Sequence, residues 1–345
     1  MRGARRSTLT LIAMGLALGA GIPTVHAQES LVVAMPTIGS DILHYAAIRK
    51  DIFKQRGVNV TMLDNTGANT ASLVVSGQAD IALFAATVPL IIAGQGKETS
   101  IIYGIGGAGI GGSVVGDGKK VNSMEDLKTA NPCRIATFPA GSVAYGFAAL
   151  FKDNLKLNCE LIPFSDPPSQ LGALLSGRAE AIVGSYTNFA TTVADGKAKL
   201  IMDSRDPEQR RKYIGPEFPE AVMFGLTDKL KAKSDAVVRY LKGLDDTYKL
   251  LKGSTDAQMA DILTGTPALA GRSKQQLQSD VASIRHYVTK GSTDGYIAKS
   301  QWDIGLQRYA LWGVPGFNSA LPRNAYDARV DMSYYVKAIG KPPGN

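Results

Sequence analysis

The stretch Leu73-Val-Val-Ser-Gly-Gln-Ala-Asp80 returns as Ala173-Leu-Leu-Ser-Gly-Arg-Ala-Glu180, 100 residues further along a chain of 345. The match runs on without a gap through Thr87 and Thr187 to Gly96-Lys97 and Gly196-Lys197. A helix end, a turn, a strand, a loop and a following helix therefore recur in one order, the mark of an internal repeat. Upstream, Met35-Pro36-Thr37-Ile38-Gly39-Ser40 and Phe138-Pro139-Ala140-Gly141-Ser142 each follow an apolar strand and precede a helical pattern, at an offset near 102. Strands that alternate with helices predict parallel sheets. Each half is expected to be an α/β unit.

Working outward, a helix through Ile42, Ala46, Ile48, Ile52 and Phe53 should stop at Gly57 and lead into a strand from Val58 to Leu63. The second half repeats this with Phe147, Leu150, Phe151 and Leu155, followed by a strand through Leu161 and Ile162. Ser123-Met-Glu-Asp126 reads as the cap of a short helix. A glycine-rich passage, Gly104 to Gly118, separates the halves, and the apolar segment Val222 to Leu226 follows the second; both are candidate hinges. Beyond them the chain reads as helical, with the lysines of Lys229 to Lys252 on the solvated face of an amphipathic helix.

At the start, Arg2, Arg5 and Arg6 precede an apolar run, Leu9 to Ile22, and the small-residue site Val25-His26-Ala27, the order of a secretory signal peptide. The run is shorter than the ~20 residues of a membrane span. Residues 1–27 are therefore expected to be a signal peptide removed on export, by the general or, given Arg5-Arg6, the twin-arginine route. Without its three arginines the formal charge falls from +8 to +5, a mild excess that does not mark a nucleic-acid binder. The 318 residues that remain exceed the size at which one core usually divides in two. Cys133 and Cys159 stand at the starts of two strand-like runs, and an oxidising compartment permits them to pair. Spacing alone leaves a disulfide and two buried thiols both open.

Motifs for chemistry are scarce. Gly104-Ile-Gly106-Gly-Ala-Gly109 has dinucleotide-loop spacing, but Ile110-Gly111-Gly112-Ser113 continues into a strand where a fingerprint would open a helix, so no cofactor is expected. Beyond residue 27 the histidines are His44 and His286, neither beside a serine motif, and GxSxG, HExxH and CxxC are all missing. No catalytic or metal-ligating set is expected; Asp41 with His44 reads as a cap and a surface histidine.

What remains is a set of loops at the C-terminal ends of parallel strands, where open α/β sheets hold ligands. Pro36 to Asp41 and Pro139 to Val143 place Ser40 and Ser142 at helix starts, where free N–H groups favour an anionic group or the serines simply cap. The repeat-related pair Phe84-Ala-Ala-Thr87 and Ser185-Tyr-Thr-Asn188 offers hydroxyls, an amide and aromatic faces. The candidate ligand-binding residues are Gly39, Ser40, Phe84, Thr87, Gly141, Ser142, Tyr145, Tyr186 and Asn188. Asp166 before Pro167-Pro168 reads as a helix start bordering the cleft.

Ile52-Phe53-Lys54-Gln55-Arg56-Gly57-Val58-Asn59-Val60, the Ser-Gly-Gln-Ala-Asp80 turn and the Gly-Ser142 loop resemble the type II periplasmic binding proteins of ABC importers. Within them the chain is most similar to the branch for nitrate, sulfonates, taurine and thiamine-pyrimidine precursors, over roughly Leu31 to Lys252. The resemblance implies two α/β lobes, each a mostly parallel sheet, joined by two crossovers: residues 28–108 and the mainly helical 222–345 in the first lobe, 109–221 in the second. It implies a non-enzymatic, periplasmic, monomeric protein that closes on a small solute and delivers it to an inner-membrane permease. It matches Gly39, Ser40, Thr87, Gly141, Ser142 and Tyr186 to cleft positions. The cysteine-rich motif of the pyrimidine synthases is missing, which counts against that activity.

The four loops carry no arginine or lysine, while Phe84, Tyr145, Tyr186 and Phe189 are aromatic. A flat organic ligand, such as an aromatic acid, a heterocycle or a sulfonate-like molecule, is expected over nitrate. The rival expectations are a periplasmic enzyme on the same fold, using Asp41, His44 or Asp166, and a ligand-presenting subunit for a membrane sensor.

Overall fold

The computed structural model describes residues 29–36, 42–65, 69–106, 111–290 and 295–342. The signal-peptide stretch and Gly39, Ser40 and Asp41 lie outside them. The strands are β1 (Glu29–Pro36), β2 (Val58–Asn65), β3 (Ile81–Ala85), β4 (Thr99–Gly106), β5 (Ser113–Gly116), β6 (Arg134–Thr137), β7 (Glu160–Pro163), β8 (Ala181–Gly184), β9 (Lys199–Met202) and β10 (Pro219–Leu226). They form two five-stranded sheets, ordered β2-β1-β3-β10-β4 and β7-β6-β8-β5-β9.

The two orders are the same pattern written twice. In each sheet four strands run together and one runs against them: β10 between β3 and β4, and β5 between β8 and β9. That odd strand is the first to arrive from the other sheet. The mostly parallel sheets expected from the repeat are thus observed, each with one inserted antiparallel strand.

The repeated motif explains itself at this level. Gly77 and Gly177 sit at φ +76° and +73°, the left-handed region that ends a helix, directly after α3 (Thr70–Val75) and α6 (Pro167–Leu175). Ala79 and Ala179 then donate back to the carbonyls of Leu73 and Ala173, at 3.0 and 3.1 Å. The closing acids clamp the neighbouring strand. Asp80 accepts from the Val32 amide at 2.9 Å and Glu180 from the Arg134 amide at 2.9 Å, and each backbone N–H returns a bond to the same residue. Lys233 and Arg134 neutralise the two carboxylates at 2.8 Å. A Ser-Gly-x-Ala-acid run therefore closes one strand-helix-strand unit in each lobe.

Sequence and structure diverge in two places here. The helix expected to run from Ile42 to Gly57 is split into α1 (Ile42–Arg49) and α2 (Ile52–Gln55) by Asp51, which adopts φ 52°. The second passage falls earlier than Val222 to Leu226: those residues are the later part of β10, already paired with β3 and β4, and the chain passes between sheets through residues 214–218. Buried apolar side chains at 222–224 suit a sheet interior, while Gly215-Pro216 suits a turn.

The other helices are α4 (Thr87–Gly94), α5 (Val143–Asn154), α7 (Ala190–Ala194), α8 (Pro207–Tyr213), α9 (Thr227–Ala232), α10 (Ser234–Gly253), α11 (Asp256–Leu263), α12 (Lys274–Lys290), α13 (Lys299–Tyr309), α14 (Tyr326–Arg329) and α15 (Ser333–Ile339). In α10, Val237, Tyr240, Leu241 and Leu244 are buried against α1, α2 and α15, as the amphipathic spacing predicts. Val330 bridges to Ile101, and Arg329 bonds to the Thr99 carbonyl at 3.0 Å and to Glu98, fastening the tail to β4. Cys133 and Cys159 form a disulfide between the starts of the paired strands β6 and β7, which settles the open alternative. Among the described residues no helix is long and apolar enough to cross a membrane.

Candidate functional site

The C-terminal ends of the co-directional strands in each sheet carry the loops expected to meet, and two of them do. Thr87, fully buried at the start of α4, donates its hydroxyl to the carbonyl of Gly141 at 3.2 Å, a bond between a first-sheet loop and a second-sheet loop. Gly141 takes φ +87° and donates its own N–H to the Trp312 carbonyl at 2.7 Å. Ser142 caps α5, its hydroxyl accepting from the Tyr145 amide at 3.2 Å, so its oxygen works in the fold. Tyr145 is half-buried, with its ring against Gly313.

On the second sheet, Tyr186 to Asn188 form one 3-10 turn after β8, with the Ser185 and Thr187 hydroxyls 3.0 Å apart and the Asn188 amide bonded to Ser185. All four are half-buried. Phe84 is half-buried at the end of β3. Phe189 is at 0% exposure inside the second lobe's core, where Gly184 leaves room for its ring; it offers no face to a cleft. Gly39 and Ser40 lie outside the described residues.

The structure adds a residue that the reading of four loops missed. The Arg205 guanidinium lies over the Tyr186 ring, 3.7 Å from its centre, and is held by Asp203 through two 2.8 Å bonds. The charge is thereby compensated where it stands. Arg205 follows β9, so applying the strand-end rule to one more loop would have found it. Beside it the Ser113 and Ser204 hydroxyls pair at 2.8 Å and join β5 to the end of β9.

The helical tail closes the arrangement from the side. α12 packs against the Tyr186 turn, and α13 against α5. Trp312 is buried on the α5 surface at Gly146, where a Cβ would overlap the indole. A run of ring contacts, Trp302 to Tyr309 to Trp312 and Tyr309 to Phe218 to Phe147, connects tail, hinge and α5. The Tyr309 hydroxyl donates to the Pro219 carbonyl, and burial holds its pKa well above the usual range.

The residues held in reserve for catalysis have other work. His44 is not a surface residue: it is 2% exposed, with Nε2 2.6 Å from the Tyr240 hydroxyl, because α10 covers α1. Asp166 caps α6, accepting from the Ser169 amide at 2.8 Å and from the hydroxyls of Ser169 and Ser165, bonds that hold its pKa below the usual carboxylate value. Among the described residues no group of three or more His, Cys, Asp or Glu is placed to hold a metal.

Two mixed sheets of matching order, joined by two passages and facing each other at their strand-end loops, define a type II periplasmic binding protein fold, the fold of solute-binding subunits of ABC importers. The chain belongs to the NMT1/THI5-like family, whose model matches residues 41–256, more than half of the sequence. No curated protein matches it. Solved structures share the fold at low identity. A protein of Bordetella bronchiseptica RB50 is 19% identical with a TM-score of 0.67, over 90% of this chain and 96% of that one. The alkanesulfonate-binding protein SsuA from Xanthomonas axonopodis pv. citri, bound to MOPS, is 16% identical with a TM-score of 0.63, over 84% and 96%. The periplasmic nitrate-binding protein NrtA from Synechocystis PCC 6803 is 12% identical with a TM-score of 0.63, over 90% and 88%.

Proposed function

We propose that this chain is the periplasmic solute-binding component of an ABC importer, exported by residues 1–27 and working as a monomer that delivers its cargo to an inner-membrane permease. Its first lobe holds residues 28–108 and 219–345, its second 109–218, the second boundary following β10 into the first sheet, and a small organic solute lies in the cleft between them. The observation that carries this reading is the Thr87 to Gly141 bond, which brings the predicted loops of two separate sheets into contact. Gly39, Ser40, Phe84, Thr87, Gly141, Ser142, Tyr145, Tyr186 and Asn188 line the proposed site. Arg205 sharpens the ligand class. Its charge is compensated by Asp203 and its face is stacked on Tyr186, which favours a flat neutral or singly charged molecule over a compact dianion.

The test is native mass spectrometry of freshly purified protein, then thermal-shift screening of sulfonates, aromatic carboxylates, heterocycles and nitrate. A stabilising hit whose affinity falls in Tyr186→Ala supports the reading. Failure of every small solute to bind sinks it, and preference for nitrate overturns the organic class.

A further inference from the structure

A second recess adjoins these loops where the chain passes from the second sheet to the first; it begins just after the Arg205 loop, and its Glu220 carbonyl accepts from the Ala86 amide at 3.0 Å, while Tyr186 is not part of its lining. It is an open cavity of about 490 Å³ walled by α8, by residues 214–218 and by Glu220 of β10. That is within the range of small-molecule sites. Its lining carries charge of both signs. Glu217 is half-buried and, among the described residues, has no hydrogen bond or ion pair; burial pushes its carboxyl pKa up and the nearby Arg210 opposes that. Arg211, exposed at the rim, likewise has no ion pair among the described residues. Arg210 and Glu220 are buried deeper, and Arg210 is held by the carbonyls of Ser204 and Arg205 at 3.0 and 3.2 Å. Ile214 and Phe218 supply an apolar wall.

We propose that this hinge cavity is a binding site for a small zwitterion with an apolar body, an α-amino-acid-sized molecule whose ammonium pairs with Glu217 and whose carboxylate pairs with Arg211. A lone anion would leave the Glu217 carboxylate without a partner and a lone cation would leave Arg211 without one; a ligand bearing both charges pairs with each. Because α8 belongs to one lobe and Glu220 to the other sheet, a molecule lodged here touches both sides of the hinge.

The test is calorimetric titration of the full chain with L-leucine, with 3-methylbutylamine and 4-methylpentanoate as its half-charged counterparts. The expected result is saturable binding of leucine, with each counterpart weaker by about tenfold or more. Glu217→Gln and Arg211→Ala should each weaken leucine by a similar factor, and Tyr186→Ala in the cleft should leave it unchanged. Lowering the pH should weaken leucine binding in the parent, since protonation removes the Glu217 charge, and not in Glu217→Gln. Three outcomes overturn the proposal: no binding of leucine, binding indifferent to both hinge variants, or binding lost in Tyr186→Ala. The cargo of the cleft can be identified or missed without bearing on any of these.

Discussion

Replacing Thr87 with valine keeps the side-chain volume and deletes the hydroxyl that joins the lobes. A buried hydrogen bond contributes about 1 kcal/mol net, and leaving the Gly141 carbonyl unpaired adds about 1 kcal/mol or more if water cannot reach it. The bond joins loops of the two sheets, so under the proposed hinge motion it is made in the closed form and broken in the open one. Its loss therefore falls on the closed form, and about 1 kcal/mol reduces the closed-to-open ratio about fivefold. Where the open form dominates without solute, the apparent dissociation constant rises by the same factor, because binding must now supply that closure. Thr87→Ser, which keeps the hydroxyl, should stay within about twofold of the parent. The assay is calorimetric titration with the solute found by screening, beside the distance between dyes placed on the two lobes. A Thr87→Val protein of unchanged affinity would refute the reasoning, and one that melts earlier but binds equally well would show that the bond serves folding alone.

Exchanging both Cys133 and Cys159 for serine opens a cross-link that spans 26 residues, and should cost roughly 3 kcal/mol in denaturant unfolding, with solute affinity retained. Gly146→Ala drives a methyl into the Trp312 indole and should lower stability by about 2 kcal/mol, read as an earlier melting transition. Glu180→Ala leaves the Arg134 amide without its acceptor and should cost on the order of 2 kcal/mol, confined to the second lobe's unfolding. The carboxyls of Asp126, Asp166 and Asp206 are all held below their usual value by backbone hydrogen bonds. Their contribution is present above the unfolded value near 3.8 and is lost as pH falls through the lower folded values, so melting temperature should drop below that point, less steeply in Asp166→Asn.

How much of this was legible depended on whether the deciding contact was local. The Ser-Gly-x-Ala-acid runs are local devices: a left-handed glycine, a return bond and an acid that clamps the adjacent strand. They revealed two units of one kind. The antiparallel strands β5 and β10 were not legible as such, because an apolar run does not say which strand it will lie beside. His44 misled for the same reason. Its burial comes from Tyr240, 196 residues away, which no helical spacing around His44 announces.

The candidate site divides along the same line, and the division bears on specificity. Thr87 and Thr187 are related by the repeat, yet Thr87 bonds across to Gly141 while Thr187 pairs with Ser185 inside its own turn. Tyr186, whose counterpart is Ala86, lies under an arginine from β9's loop and against a helix of the tail. The shared scaffold can place loops, but two equivalent loops would present equivalent groups. Under the proposed function, discrimination between solutes comes from positions where the halves differ: Tyr186, Arg205 with Asp203, and the tail segment around Trp312 that holds Gly141. Copying Phe84-Ala-Ala-Thr87 onto Gly184-Ser-Tyr-Thr187 would put a side chain where Gly184 makes room for the Phe189 ring, so that chimera should melt earlier as the second lobe's core is forced apart. Substituting Arg205 alone by alanine keeps the buried Ser113–Ser204 pair and the carbonyls that hold Arg210. It should change the order of affinities across the screened solutes while both sheets stand.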